Sequence, residues 1–194
     1  MRVPYADLHA QFESVLIREG FTADQAADAA AIFADASRDG VASHGLHRFP
    51  RFVAMIQNGA VDPAAEAEPV VTLGGFERWT GNRGPGMLNA RQAMARAVEL
   101  SRAHGIACVA LAETNHWMRG GAYGWQAADA GCIGLCWTNT MPNLPPWGGE
   151  DPLLGNNPFI IAVPRPSGPV VLDMAMSQFS FGALQTHAAQ GEEL

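Results

Sequence analysis

Ser43-His44-Gly45-Leu46-His47-Arg48 is the densest run of chemically able side chains in the first half of this chain. An imidazole beside a hydroxyl can deliver or take a proton near neutral pH. A guanidinium close by can grip a carboxylate through two parallel hydrogen bonds. The same string also reads as a helix cap, Ser43, followed by surface polar residues. A second run, Asn115-His116-Trp117-Met118-Arg119-Gly120-Gly121, stands between an apolar stretch that reads as a strand and a stretch that reads as a helix. In α/β sheets ligands bind outside the carboxyl ends of strands, where helix amides face anions and glycine lets a ligand approach the backbone. A purely structural loop explains the two glycines equally well.

Other chemistries are poorly supplied. His44, His47 and His116 have no carboxylate or cysteine at ligand spacing beside them, so no metal site is expected. All 12 basic residues are arginines, which excludes a Schiff-base lysine, a Walker-A lysine or a lysine general base from within the chain. A dinucleotide fingerprint is missing: the nearest string, Gly84-Pro85-Gly86-Met87-Leu88-Asn89, lacks the third glycine and carries proline in the turn. No Gly-x-Ser-x-Gly elbow is present, which disfavours an α/β-hydrolase. Ser177, Asp173 and His187 invite a triad, yet their placement along one strand-to-helix stretch favours helix capping.

The elements that must position these residues follow from periodicity. Leu8, Phe12, Val15 and Leu16 form the apolar stripe of a helix over residues 4–19. Thr22 with Gln25 spells a capping box opening an alanine-rich helix that runs to Arg38. Pro50 suits the first turn of a third helix reaching Asn58, with Gly59 as its cap. Beyond Val61 the texture changes to a strand-turn-strand in VVTLGGFERWTGN, a helix over Met87 to His104, and a buried strand in IACVALAET. A helix at 122–130, a buried strand in CIGLCWTNT, strands in FIIAVP and PVVLDMA, and a final helical piece complete the pattern. Alternating strands and helices indicate an α/β architecture. The helix-free passage MPNLPPWGGEDPLLGNNP permits antiparallel pairing, so the sheet is expected to be mixed. No element closes the sheet after QGEEL, and an incomplete domain is expected.

Composition narrows the function classes. The chain has 194 residues, 48% hydrophobic and only 16% charged, against about 25% charged in an ordinary domain. It therefore has material for a core and resembles a subunit that hides surface in an oligomer. A net charge of −7 argues against nucleic acid or an anionic membrane as partner. Cys108, Cys132 and Cys136 lie in apolar strings and read as small buried hydrophobes. The N-terminus lacks the apolar core of a signal peptide, and no apolar run is long enough to span a membrane. A cytoplasmic protein is expected.

The strings SHGLHRFPRFV, NHWMRGGAYGWQAA, GLCWTNTMPNLPPWGG, LGNNPFIIAVP and VLDMAMS occur in this order. Together they resemble the malate/L-lactate dehydrogenase family of the non-Rossmann type, most closely its 2,3-diketo-L-gulonate reductase branch, over the whole chain. The resemblance implies a helical segment at 1–59 carrying the Ser-His-Gly turn. It further implies a partial nicotinamide-dinucleotide-binding domain at 60–194, with a mixed or antiparallel sheet of non-Rossmann type. Family members are longer, so the chain reads as the N-terminal part of such an enzyme. His44 then corresponds to the proton donor to the substrate carbonyl and Ser43 to the residue orienting it. Arg48 and His116 correspond to residues facing the substrate carboxylate or its neighbouring oxygens. Pro169, Val170, Val171, Leu172, Asp173, Met174 and Ala175 correspond to a segment binding NAD or NADP. The implied reaction is hydride transfer to the carbonyl of a 2-oxo or 2,3-diketo acid, in a homodimer or larger homo-oligomer. The alternative is a catalytically incomplete fragment that serves only as a binding, folding or oligomerisation module.

Overall fold

The computed structural model describes residues 2–177 and 191. The chain divides into two compact units, residues 1–119 and 120–194.

The first unit opens with three helices, α1 (Tyr5–Arg18), α2 (Ala23–Arg38) and α3 (Phe49–Gln57), with a short 3-10 turn at Ala42–His44 between the last two. The capping box at α2 forms: the Gln25 backbone N–H donates to Thr22 Oγ1 at 3.3 Å, and the Thr22 N–H donates to Gln25 Oε1 at 3.2 Å. Pro50 stands in the first turn of α3, where its missing N–H costs nothing. The helices close on an aromatic core in which the rings of Phe12 and Phe49 are 4.3 Å apart and Phe33 meets Phe49 edge-on at 5.0 Å. Such rings dominate core energetics, and truncating one to alanine costs about 3–5 kcal/mol.

The three helices share their core with residues beyond position 59. Val61, Met87 and Met118 all enter the same cluster, so the helical segment and a sheet lie in one compact unit ending at residue 119. That sheet holds β1 (Glu68–Leu73), β2 (Phe76–Thr80) and β3 (Cys108–Ala112). β1 pairs antiparallel with β2, and β2 pairs parallel with β3. The crossover between β2 and β3 carries α4 (Gly86–His104), as parallel pairing requires. A part-buried ion pair joins α4 to the sheet: Glu77, 2% exposed, takes Arg96 Nη2 at 2.8 Å and Trp79 Nε1–H at 2.8 Å. Arg96 holds the Glu77 carboxyl below its ordinary pKa despite burial, so the charge is compensated in place.

The second unit contains α5 (Gly121–Asp129) and an antiparallel sheet of β4 (Gly134–Trp137), β5 (Phe159–Val163) and β6 (Val170–Met174), with β5 central. Ile160 and Ala162, both fully buried, face α5. The architecture is thus α/β with one mixed and one antiparallel sheet, as the element pattern predicts.

Two expectations need correction. The strands are not buried on both sides: β3 alternates exposed and half-buried residues, and Leu135, Trp137, Val170, Leu172 and Met174 stand exposed on β4 and β6. An apolar run reads as two-sided burial, but one face of each sheet is uncovered among the described residues. For the same reason only Cys136 is buried, while Cys108 is exposed and Cys132 half-buried. The final helical piece and His187 fall outside the described residues. No helix among the described residues is long and apolar enough to cross a membrane.

Candidate functional site

The turn after α2 is built from backbone bonds around one serine. Ser37 Oγ donates to Phe33 O at 2.8 Å and accepts the Leu46 N–H at 2.9 Å. Gly45 packs so closely on Ser37 that a Cβ would lie 2.7 Å from the Ser37 backbone nitrogen. The Gly45 carbonyl then receives the Arg48 and Phe49 N–H groups at 2.9 and 3.2 Å, starting α3. Ser43 is not the cap of that helix; Arg48 occupies the N-cap position with no side-chain cap. Ser43 Oγ instead lies 3.1 Å from His44 Nδ1.

The His116 loop is pinned independently. The Asn115 side-chain amide donates to the carbonyls of Ala60, Arg83 and Gly84 at 3.1, 2.8 and 3.2 Å. Gly86, at the start of α4, is crossed by the Asn115 and His116 backbone, leaving no room for a side chain. Met118 is buried in the core with φ 64°, and Glu113 has φ 52°. A non-glycine residue in this region costs energy that the surroundings must hold. At the end of the loop Arg119 Nη1 donates to Asp39 Oδ2 at 2.6 Å, tying it back to the end of α2.

These two scaffolds bring His44 and His116 together, with ring centroids 5.6 Å apart and planes at 33°. The Met118 N–H donates to His116 Nδ1 at 2.9 Å, so the neutral ring carries its proton on Nε2. Burial, then the charges of Arg48, His44 and Arg51, push the His116 pKa down to about 3. His116 is thus a neutral hydrogen-bond donor at physiological pH. Arg48 is half-buried, and among the described residues it pairs with no carboxylate; burial and the nearby Arg51 lower its pKa. His47 is exposed. A half-buried guanidinium without such a partner can receive an anion, and an imidazole beside it can supply that anion's neighbouring oxygen with a proton.

Pro169 to Ala175 form β6 and its ends in the second unit. Val171 and Asp173 face α5, and Val170, Leu172 and Met174 face the other way, exposed. Asp173 Oδ2 accepts the Gly121 N–H at 3.0 Å, so the amide end of α5, expected to be open to an anion, is met by the chain's own carboxylate. Burial and Asp173 raise the neighbouring Cys136 thiol to about 11, which keeps it protonated. Sequence reasoning missed a cavity of about 310 Å³ at the ends of β4 and β5, walled by Trp137, Phe159 and Met176 and edged by Asn139 and Asn157. Its rim is held by Thr140, whose N–H donates to Asn157 Oδ1 at 2.9 Å and whose Oγ1 lies 2.8 Å from Asn156 Oδ1. The depression is open to solvent and mainly apolar, with Trp137 and Met176 largely exposed along its wall. The signal was present in the aromatic residues of CWTN and NNPF, which read only as strand. Among the described residues no three His, Cys, Asp or Glu side chains are grouped to hold a metal ion.

Residues 3–194 match the family described as malate/L-lactate dehydrogenase. A 2,3-diketo-L-gulonate reductase of Escherichia coli (strain UMN026) is 47% identical over 195 aligned positions, which take in 100% of this chain and 58% of that protein. One from Klebsiella pneumoniae is 45% identical with the same coverage. The chain thus spans less than two thirds of the length of these curated relatives. Among solved structures, malate dehydrogenase from Pyrococcus horikoshii superposes with a TM-score of 0.92 at 31% identity, covering 95% of this chain and 53% of that one. A delta1-piperideine-2-carboxylate reductase from Pseudomonas syringae pvar. tomato gives 0.92 at 27% identity, covering 100% and 59%.

Proposed function

This chain belongs to the malate/L-lactate dehydrogenase family, and on that footing we propose that it carries the proton donor and carboxylate clamp of a nicotinamide-dependent reductase. The substrates are 2-oxo acids, with acids like 2,3-diketo-L-gulonate the favoured class, since relatives of that name share close to half of its residues. The observation that carries the reading is the meeting of His44, His116 and Arg48 in one compact unit.

The roles follow from the chemistry of each group. Arg48 binds the substrate carboxylate through its planar fork. His116, held neutral, donates from Nε2 to a substrate oxygen without competing for the acid role. His44, protonated, gives its proton to the carbonyl oxygen as negative charge develops there, and Ser43 at Nδ1 fixes the ring so that the proton leaves from Nε2. General acid catalysis of this kind contributes about 10²- to 10⁴-fold. NAD or NADP would be held by residues 169–175 and by the slot of Trp137 and Phe159, and its reduced form, NADH or NADPH, would supply the hydride that the carbonyl carbon accepts, leaving oxidised dinucleotide. The working protein is a cytoplasmic homodimer or larger homo-oligomer, which sedimentation velocity checks.

The test is a fluorescence titration with NADH and NADPH, followed by a screen of 2-oxo acids, 2,3-diketo acids and ketones lacking a carboxylate. The expected result is saturable binding of one dinucleotide and turnover confined to the acids. Failure to bind either dinucleotide, or equal turnover of simple ketones, overturns the proposal.

A further inference from the structure

Two side chains of opposite charge meet where the His116 loop ends. Arg119 Nη1 donates to Asp39 Oδ2 at 2.6 Å across 80 residues of sequence. With 17% of its side chain exposed, Arg119 is the most enclosed of the ion-paired arginines among the described residues. Asp39 is the C-cap of α2, and from it the chain passes straight into the His44 turn. There the Val41 N–H donates to Ala36 O at 2.8 Å and the His44 N–H to Val41 O at 3.0 Å. On the other side stands Met118, the residue before Arg119, whose N–H is the donor that reaches His116 Nδ1 at 2.9 Å. Met118 makes that bond at a φ of 64°, a left-handed conformation that costs energy for a residue with a Cβ. Relaxing that φ turns the peptide that carries the N–H relative to the chain that follows. Two things resist the turn. The Met118 side chain is buried in the aromatic core, and Arg119, next in the chain, is tied to Asp39.

We infer that Asp39 is a positioning residue: through Arg119 it holds the Met118 N–H on His116 Nδ1, and so keeps the His116 proton on Nε2, the atom that donates to the substrate. The inference rests on the reading of His116 as a donor to a substrate oxygen. Asp39 acts only through Arg119 and the backbone at Met118. Arg38 Nε donates to the other oxygen of the same carboxylate at 3.1 Å, but its side chain is 58% exposed and belongs to α2, so it offers no such path to the loop.

The experiment follows amide hydrogen exchange by NMR in the protein as its gene encodes it and in Asp39→Asn, Arg119→Gln, Arg119→Lys and Arg38→Gln. In the first two variants the Met118 amide is expected to exchange about 10-fold faster or more, while the Phe33 and Phe52 amides of the core keep their rates. With it, kcat/KM for a 2-oxo acid falls by about 10-fold or more and the dinucleotide Kd stays within about twofold. Arg119→Lys, which keeps the charge and loses the planar fork, recovers part of the loss. Arg38→Gln leaves all of these readings as in the wild type. An unchanged Met118 rate in the first two variants, acceleration of every amide together, or loss of the fold in both overturns the inference. If Asp39→Asn alone fails to fold, Arg119→Gln opens the same bond and is read in its place. If His44→Ala abolishes turnover while Met118 exchange is unmoved by Asp39→Asn, only the role of Asp39 falls. If His44→Ala keeps its turnover, the reading of the site falls instead.

Discussion

At the residue scale, the depressed pKa of His116 separates the work of two imidazoles that stand 5.6 Å apart. With burial and the charges of Arg48, His44 and Arg51 holding it to about 3, His116 stays neutral near physiological pH, which leaves His44 as the proposed acid. The same depression makes stability depend on pH. An imidazole in the unfolded chain titrates at 6.5, so between that value and about 3 the unfolded chain binds a proton that the folded chain refuses. Stability then falls as pH drops through this window. Thermal melts from pH 7 to about 4.5 should show His116→Gln losing less stability on acidification than the wild type; parallel declines would contradict the assignment. Arg48 allows a second test at this scale. Lysine keeps the charge and loses the planar fork, so Arg48→Lys should raise KM for a 2-oxo acid by about 10-fold or more with a smaller effect on kcat. An unaltered KM would remove Arg48 from carboxylate binding.

At the scale of elements, the candidate site depends on two loops, one anchored by Ser37 at the end of α2 and the other by the remote partners of Asn115. Gly45 lies against Ser37 with no space for a methyl group, and the same glycine carbonyl starts α3. Gly45→Ala should therefore cost about 1–3 kcal/mol from overpacking and displace His44 and Arg48 together. Thermal melting and steady-state kinetics should fall in concert, and an unchanged melting temperature with full turnover would show that the turn is not held this way. The helices themselves were legible, because caps and stripes are local: Thr22 with Gln25 and the spacing of Leu8, Phe12, Val15 and Leu16 need no knowledge of the rest. Strand positions were legible for the same reason. Their burial was not, since Cys108 and Trp137 sit in apolar runs but on sheet faces uncovered among the described residues. The anchoring role of Asn115 was not legible, because its amide acts on the carbonyls of Ala60, Arg83 and Gly84, which the fold alone brings near, and Ser37 drew no notice inside the alanine-rich helix. The meeting of His44 with His116 could be expected from family resemblance and not from spacing.

At the scale of the molecule, the residues proposed for proton donation and those proposed for dinucleotide binding belong to different compact units. His44, Arg48 and His116 belong to residues 1–119, and the segment expected to hold the dinucleotide, 169–175, belongs to residues 120–194. Proton donation and cofactor affinity should accordingly be separable by mutation. The most direct measurement is to replace His44 by alanine and follow both quantities, dinucleotide affinity by fluorescence titration and reduction of a 2-oxo acid by dinucleotide absorbance. Turnover should fall by about 10²-fold or more with the dinucleotide Kd within about twofold of wild type. Turnover that survives the substitution would contradict the account at its centre.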